Sequence, residues 1–377
     1  MNTLFAYAGL FLMAISIALI ATPLVKKLAI LVGAVDQPDP RKVHTKIMPR
    51  MGGLAVYIAF MVTLAFELKF NIININSVLL NTTQFYGFLL GGTIIIIIGL
   101  IDDRYQISAK YKFLGQIIAA GVVMYAGIKV QFITLPFEGT FEFGWFSIPF
   151  TLLWIIGVTN ALNLIDGLDG LAAGVASIAL ATVTIIGFAM GNTVVAFMAL
   201  LLLGSTLGFL RYNFFPAKIF MGDTGALFLG YNLAIFSILG FKHVTLVSFI
   251  IPILILGVPI ADTLFAILRR YLSKQPISIA DKNHLHHCLL KKGWSHRTTV
   301  LIIYGISIFF SLTAIIFSQA EVWVAFTVLG VLFVITAIGA ESINILNTRR
   351  QPIIHFIEDL VKYADTKQSL DKQNLKG

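Results

Sequence analysis

Cysteine and charge are what this sequence has least of. Cys288 is the single cysteine in 377 residues, which excludes an internal disulfide framework and any cysteine-rich metal site. Charged residues make up 12% and hydrophobic residues 58%, against about 25% and about 45–50% in soluble domains. No stretch between the apolar runs is long enough for a soluble domain of useful size. Internal repeats are also lacking, as is an inverted pair of Gly/Pro-interrupted spans of the kind that builds secondary transporters. A cleaved leader is not expected. The first apolar run, 4–22, is followed rather than preceded by its positive charges, Lys26 and Lys27, and no small-residue cleavage site stands out.

What the chain does have is a series of apolar runs of about 17 residues or more, the length a helix needs to cross a bilayer. They predict an all-α polytopic membrane protein with about eleven spans, at about 4–24, 51–69, 80–100, 112–128, 147–162, 168–189, 193–210, 225–241, 245–268, 299–318 and 322–342. A transmembrane domain then occupies 1–342, and 343–377 forms a charged, amide-rich tail. With the N-terminus placed outside, the inner segments and adjoining span ends carry 24 of the 27 Lys and Arg. Only Lys69, Lys129 and Lys242 fall on the outer side. The positive-inside rule therefore sets the N-terminus outside and the C-terminus in the cytoplasm, and it explains the net charge of +9 without nucleic acid. The longest outer connection, near 129–146, alternates apolar and polar residues around Pro136 and Gly139, which predicts a small extracellular hairpin.

Flanked by apolar runs is the polar stretch Asn160–Leu171, NALNLIDGLDGL. Asn160, Asn163, Asp166 and Asp169 recur at steps of three, with Gly167 and Gly170 after the two acids. Such groups cost roughly 2.5–3.5 kcal/mol per charge if they enter the bilayer core, so polar residues kept at its edge are functional candidates. In a regular helix steps of three would scatter these groups, whereas a 3₁₀-like turn or a glycine-broken helix end gathers them on one side. A simple cap needs one such residue, not four.

Three further clusters fall on the same side: Asp102-Asp103, Met221-Gly222-Asp223-Thr224-Gly225, and His284, His286 and His287. One cytoplasm-facing site assembled from several loops is the economical reading. Five carboxylates (Asp102, Asp103, Asp166, Asp169, Asp223) without cysteine suit Mg²⁺ or Mn²⁺ rather than zinc. Paired acids can also be a solvated span end, and Gly222–Gly225 can be plain helix capping, although a helix N-terminus additionally offers N–H groups to an anion. The three imidazoles fit either a transition-metal site or a phosphate clamp. Beside Mg²⁺-type acids the clamp is favoured. His44, His243, His296 and His355 stand alone and receive no role. Together these groups suit phosphoryl transfer between a water-soluble and a lipid-soluble substrate, catalysed by positioning and charge neutralisation.

Asp102-Asp103, Asn160-x-x-Asn163-x-x-Asp166-Gly-x-Asp169-Gly, Met221-Gly-Asp223-x-Gly and His284-x-His286-His287 occur in the order found in one family. From Pro49-Arg50-Met51-Gly52-Gly53 to about residue 340, the chain resembles the polyprenyl-phosphate N-acetylhexosamine-1-phosphate transferases. Asp281–His287 and Val35–His44 point to the bacterial branch that uses undecaprenyl phosphate and N-acetylglucosamine to start wall teichoic acid or related envelope glycans. The resemblance implies that undecaprenyl phosphate attacks the β-phosphorus of UDP-N-acetylglucosamine and releases UMP. It also implies that Asp223 and Asn163 hold Mg²⁺, with Mn²⁺ as a substitute. Asn160, Asp166 and Asp169 would line the nucleotide or diphosphate pocket, and His284, His286 and His287 would hold the sugar-diphosphate. Asp102, Asp103 and Lys112 would face the lipid phosphate, with Asp103 orienting the nucleophile or removing its last proton. The expected setting is the bacterial plasma membrane, among membrane lipids, and a homodimer is compatible with it. Many members carry Asp-Asp-x-x-Asp, and Gln106 stands here in place of the last acid. Phospho-N-acetylmuramoyl-pentapeptide transfer is the alternative within the class, and a lipid or solute transporter the alternative outside it. A transporter predicts acids near the midplane on broken, repeated helices.

Overall fold

A backbone in hydrocarbon has no water to bond, so each apolar run satisfies its own N–H and C=O groups by coiling. The computed structural model describes residues 3–37, 47–73, 82–134, 139–240, 246–276 and 283–342. It consists of helices α1 (Thr3–Leu31), α2 (Gly52–Phe70), α3 (Thr82–Tyr105), α4 (Ala109–Tyr125), α5 (Ser147–Leu164), α6 (Leu171–Ala189), α7 (Thr193–Asn213), α8 (Gly222–Gly240), α9 (Leu246–Ile255), α10 (Gly257–Leu272), α11 (Leu285–Lys291), α12 (His296–Gln319) and α13 (Val322–Ser342). Eight of these are long and apolar enough to cross a membrane: α1, α2, α3, α5, α6, α7, α8 and α12. Polar residues stop and start them. Asn192 caps α7 by accepting from Val195 N–H at 3.3 Å, and Ser295 caps α12 by accepting from Thr298 N–H at 3.2 Å.

Ten of the eleven expected runs each fall on one helix. The ninth, 245–268, does not: α9 ends at Ile255 and α10 begins at Gly257. Pro259 has no N–H for the Ile255 carbonyl, so the ladder breaks there. α10 then buries Val258, Asp262, Ala266 and Arg269 along one stripe and exposes Leu264, Leu268 and Leu272. Composition reads as one span, but two prolines (Pro252 and Pro259) and this polar stripe make it two helices.

α8 lies at the centre, packed by α2, α3, α5, α6 and α7, and nearly all of it is buried. Buried hydroxyls bond back one turn, as Thr63 does to the Ala59 carbonyl (2.8 Å) and Ser205 to Leu201 (2.9 Å). Two antiparallel ribbons complete the fold: β1 (Val35–Asp36) with β2 (Met48–Pro49), and β3 (Phe132–Thr134) with β4 (Thr140–Glu142). The second is the hairpin expected near 129–146. The tail 343–377, residues 38–44 of the Val35–His44 segment, Asp281, Lys282, and the isolated His44, His243 and His355 lie outside the described residues.

Candidate active site

The site is built on the N-terminal end of α8. Phe220 N–H donates to the Pro49 carbonyl (2.9 Å), and Gly52 and Gly53 N–H donate to Phe220 and Met221 (3.0 and 2.9 Å). The starts of α2 and α8 are thereby locked together. Asp103, near the end of α3, then caps α8. Its Oδ1 accepts from Asp223 N–H at 2.9 Å, and its Oδ2 from Thr224 N–H at 3.2 Å and Thr224 hydroxyl at 2.6 Å. Gly222, at φ +68°, makes this possible, because a Cβ there would lie 2.3 Å from Asp103 Oδ2. Arg50 Nε stands 3.5 Å from Oδ1, and the Asp103 side chain is 0% exposed. The sequence reading set Asp103 against the nucleophile. In the structure its carboxylate is spent on α8 and Arg50, where the helix dipole and unpaired N–H groups stabilise it.

Asp102, one residue earlier, takes a different neighbourhood. Lys112 of α4 donates to Asp102 Oδ2 at 3.3 Å and to Asp223 Oδ2 at 2.8 Å, so one ammonium bridges two acids from different helices. Asp102 Oδ1 is buried without a partner. Asn163, at the end of α5, neighbours Asp223, and Arg50 lies 3.9 Å from Asp223 Oδ1. Oxygens of Asp102, Asp103 and Asp223 come within 4.8 Å of one another. Gln106 is exposed in the left-handed conformation (φ 50°), and its N–H donates to the Asp102 carbonyl, which ends α3.

The Asn/Asp stretch runs from the last turns of α5, which carry Asn160 and Asn163, into a glycine-bearing turn before α6 that carries Asp166 and Asp169, and its members divide. Asn160 pairs with Gln116 of α4, donating to Gln116 Oε1 at 2.6 Å. Asp166 is half-buried and faces the cluster: burial, then the charge of Asp223, pushes its carboxyl up to about 7 against the pull of Arg50. Asp169 turns toward the chain. Its Oδ2 accepts from Ala217 N–H (2.9 Å), and its own N–H donates to His296 Nε2 (3.0 Å). Tyr304 hydroxyl donates to the Gly170 carbonyl. His296, given no role from sequence, therefore helps to hold this turn from α12.

The histidines sit on and just before α11, on the other side of the turn. His286 is buried, and its Nε2, which has no partner, lies 2.5 Å from where a Cβ on residue 167 would be. Burial, then His287, draws the His286 imidazole down to about 3, so the ring is neutral at physiological pH. Its ring is nearly parallel to that of His284 (4° apart, centroids 6.1 Å) and 4.1 Å from His287. Asp262 of α10 accepts from Leu285 N–H at 2.8 Å and sits 2.8 Å from His284 Nδ1. The four clusters thus converge at one end of the bundle. Arg50, Gln116, Asp262 and His296 join them from outside the motifs. Arg50 was flanked by a visible signal, the Pro49–Gly53 turn, whereas an Asp on an apolar helix and a lone His carry none.

The family model described as Glycosyl transferase family 4 matches residues 85–241. The chain is 48% identical over 354 residues, 93% of this chain and 96% of the relative, to the Bacillus subtilis (strain 168) probable undecaprenyl-phosphate N-acetylglucosaminyl 1-phosphate transferase. The chain belongs to glycosyl transferase family 4. A decaprenyl-phosphate N-acetylglucosaminephosphotransferase of Mycolicibacterium smegmatis is 38% identical, with 80% of each chain covered. A phospho-N-acetylmuramoyl-pentapeptide-transferase of Halalkalibacterium halodurans is 32% identical over 73% of this chain and 84% of its own. Within the family 4 region lie Asp102, Asp103, Lys112, the Asn/Asp turn and Asp223, whereas Arg50, Asp262 and the histidines lie outside it.

These residues fit a hard divalent cation. The donors are all oxygens, one of them (Asp102 Oδ1) buried and unpartnered, and a cation, the Lys112 ammonium, already bridges Asp102 and Asp223.

Proposed function

We propose that this family 4 enzyme transfers N-acetylglucosamine 1-phosphate from UDP-N-acetylglucosamine to undecaprenyl phosphate, releasing UMP. The single observation that carries this reading is the convergence of Asp102, Asp166, Asp223 and Lys112 with the His284–His287 group beside the N-terminus of α8. The 48%-identical relative is named for this reaction, and relatives named for the muramoyl-pentapeptide reaction are 32–34% identical. The reaction is the first membrane step of teichoic acid or related envelope polysaccharide synthesis. The asymmetry of Lys and Arg supports a site facing the cytoplasm from the plasma membrane, with the N-terminus outside.

An oxygen of the lipid phosphate attacks the β-phosphorus, and the bond from that phosphorus to the bridging oxygen breaks as UMP leaves. Mg²⁺, or Mn²⁺ in its place, would be held by Asp223, Asn163 and Asp102, and would neutralise charge on the diphosphate. Lys112, released from its two acids, meets the lipid phosphate. Asp103 fixes Asp223 and Arg50 in place and touches no substrate. Asp166 closes the cluster toward the nucleotide, Asp169 holds the turn that carries it, Asn160 ties α5 to α4 through Gln116, and the histidines bind the sugar nucleotide. The lipid phosphate has its second pKa near about 6 and is mostly a dianion at neutral pH, so a general base adds little and transfer occurs in one step.

The test is UMP release by purified protein with undecaprenyl phosphate, Mg²⁺ and one of the two sugar nucleotides. Release with UDP-N-acetylglucosamine alone, abolished by EDTA and lowered about 10²–10³-fold in Asp223→Asn, is expected. Release with only the muramoyl-pentapeptide nucleotide would move the enzyme to the other branch, and none with either would defeat both sugar-phosphate assignments. Exchange of labelled UMP into UDP-sugar without lipid would replace the one-step route with a covalent intermediate.

A further inference from the structure

We propose that Asp262 is a positioning residue that fixes His284 as its Nδ1–H tautomer, so that His284 presents a bare Nε2, as an acceptor, to an O–H or N–H donor of the sugar nucleotide. The inference rests on the sugar-nucleotide role proposed above for the histidines.

Asp262 and His284 are both buried, with side chains 2% and 7% exposed. Capping α11 requires only one carboxylate oxygen, and Oδ1 supplies it to Leu285 N–H. Oδ2 goes to the imidazole. A carboxylate only accepts, so the ring must donate from Nδ1, and Nε2 becomes its free pole. No hydrogen bond among the described residues engages that nitrogen. The parallel His286 ring, whose Nε2 meets Gly167, carries this alignment to the Asp166–Asp169 turn. Among the described residues, Asp262 from α10 and His286 on α11 face His284, with His287 beyond it. The break between α9 and α10 gives this a structural cause, because the helix restarted at Gly257 carries Asp262 on its buried face.

The experiment is a double-mutant cycle on the full-length enzyme with both substrates, using D262N, H284Q, D262N/H284Q and D262E. Asn can keep Leu285 N–H on its oxygen while its amide nitrogen faces the ring and selects the opposite tautomer. D262N is expected to raise KM for UDP-N-acetylglucosamine about tenfold, leave KM for undecaprenyl phosphate within about twofold, and add nothing to H284Q. D262E is expected to recover part of the loss. Additive losses in the double variant, or equal rises in both KM values, overturn the proposal. Histidine ring ¹⁵N shifts of the wild-type protein, assigned with H284Q, give a second reading that does not depend on a folded D262N. Protonated Nδ1 on His284 supports the proposal, and protonated Nε2 with bare Nδ1 overturns it. A wild type that transfers the sugar phosphate while the losses are additive defeats this inference alone, whereas a wild type without turnover defeats the function itself.

Discussion

Asp102 and Asp103 are adjacent on α3 and face different tasks, because a helix turns by about 100° per residue. Asp103 meets the start of α8 and exhausts its oxygens there, while Asp102 reaches Lys112 with one oxygen left unpaired. Asp103→Ala orphans three donors and leaves Arg50 with only the longer contact to Asp223, so a loss of about 3 kcal/mol in stability is expected. A lower Tm in detergent, with Mn²⁺ affinity of the surviving folded protein changed less than about tenfold, would bear this out. Asp166 gives a pH signature of the opposite kind to an ordinary paired carboxylate. Its folded value of about 7 lies above its ordinary 3.8, so the unfolded chain gives up this proton first. Its contribution to stability is greatest below 3.8, falls as pH rises from there to about 7, and then levels. In EDTA, Asp166→Asn should therefore raise Tm at pH 8 and leave it nearly unchanged at pH 4. An equal Tm gain at both pH values would defeat that assignment.

At the scale of elements, α8 is both the most enclosed helix and the one whose first turn faces the chemistry. Acids from α3, a lysine from α4 and an amide from α5 all reach it because α8 packs against α3 and α5, and α4 against both of them. The hairpin β3–β4 lies between the end of α4 and the start of α5, whereas the Asn/Asp turn follows the end of α5. In a bundle of alternating spans these are opposite faces. The orientation can be read chemically on a background of Cys288→Ser, which removes the one native thiol. Glu142→Cys should react with a membrane-impermeant maleimide in intact cells, and Arg297→Cys only after the membrane is opened. The reverse pattern would invert the proposed topology.

The whole molecule keeps a cationic side chain where a divalent ion is proposed to bind. Lys112 bridging Asp102 and Asp223 neutralises a buried acidic cluster that would otherwise repel itself. Metal binding then has to displace an internal ion pair, which weakens the apparent affinity. Mg²⁺ at 100 times its Kd should still stabilise the protein by about 2.7 kcal/mol, read as a Tm increase that EDTA reverses and Asp223→Asn abolishes. No change in Tm with millimolar Mg²⁺ or Mn²⁺ would remove the cation from the site.

The sequence by itself determined ten of the apolar helices, the hairpin near 129–146 and the four polar clusters, because hydrophobic length and turn chemistry are local properties, whereas α11 and the β1–β2 ribbon carry no such signal. The break at Leu256 was visible only as two prolines within an apolar run, and composition does not say whether such a run bends or divides. Only the tertiary structure decided what each polar group does. Asp103 and Asp102 are the same residue type in the same motif, and the packing of α3 on α8 alone makes one a cap and the other half of a lysine bridge. Asp262 and Arg50 become part of the site through contacts across 22 and 53 positions of chain, to His284 and Asp103 respectively. No periodicity or motif records such separations, because a side chain's partner is set by which helices share a face.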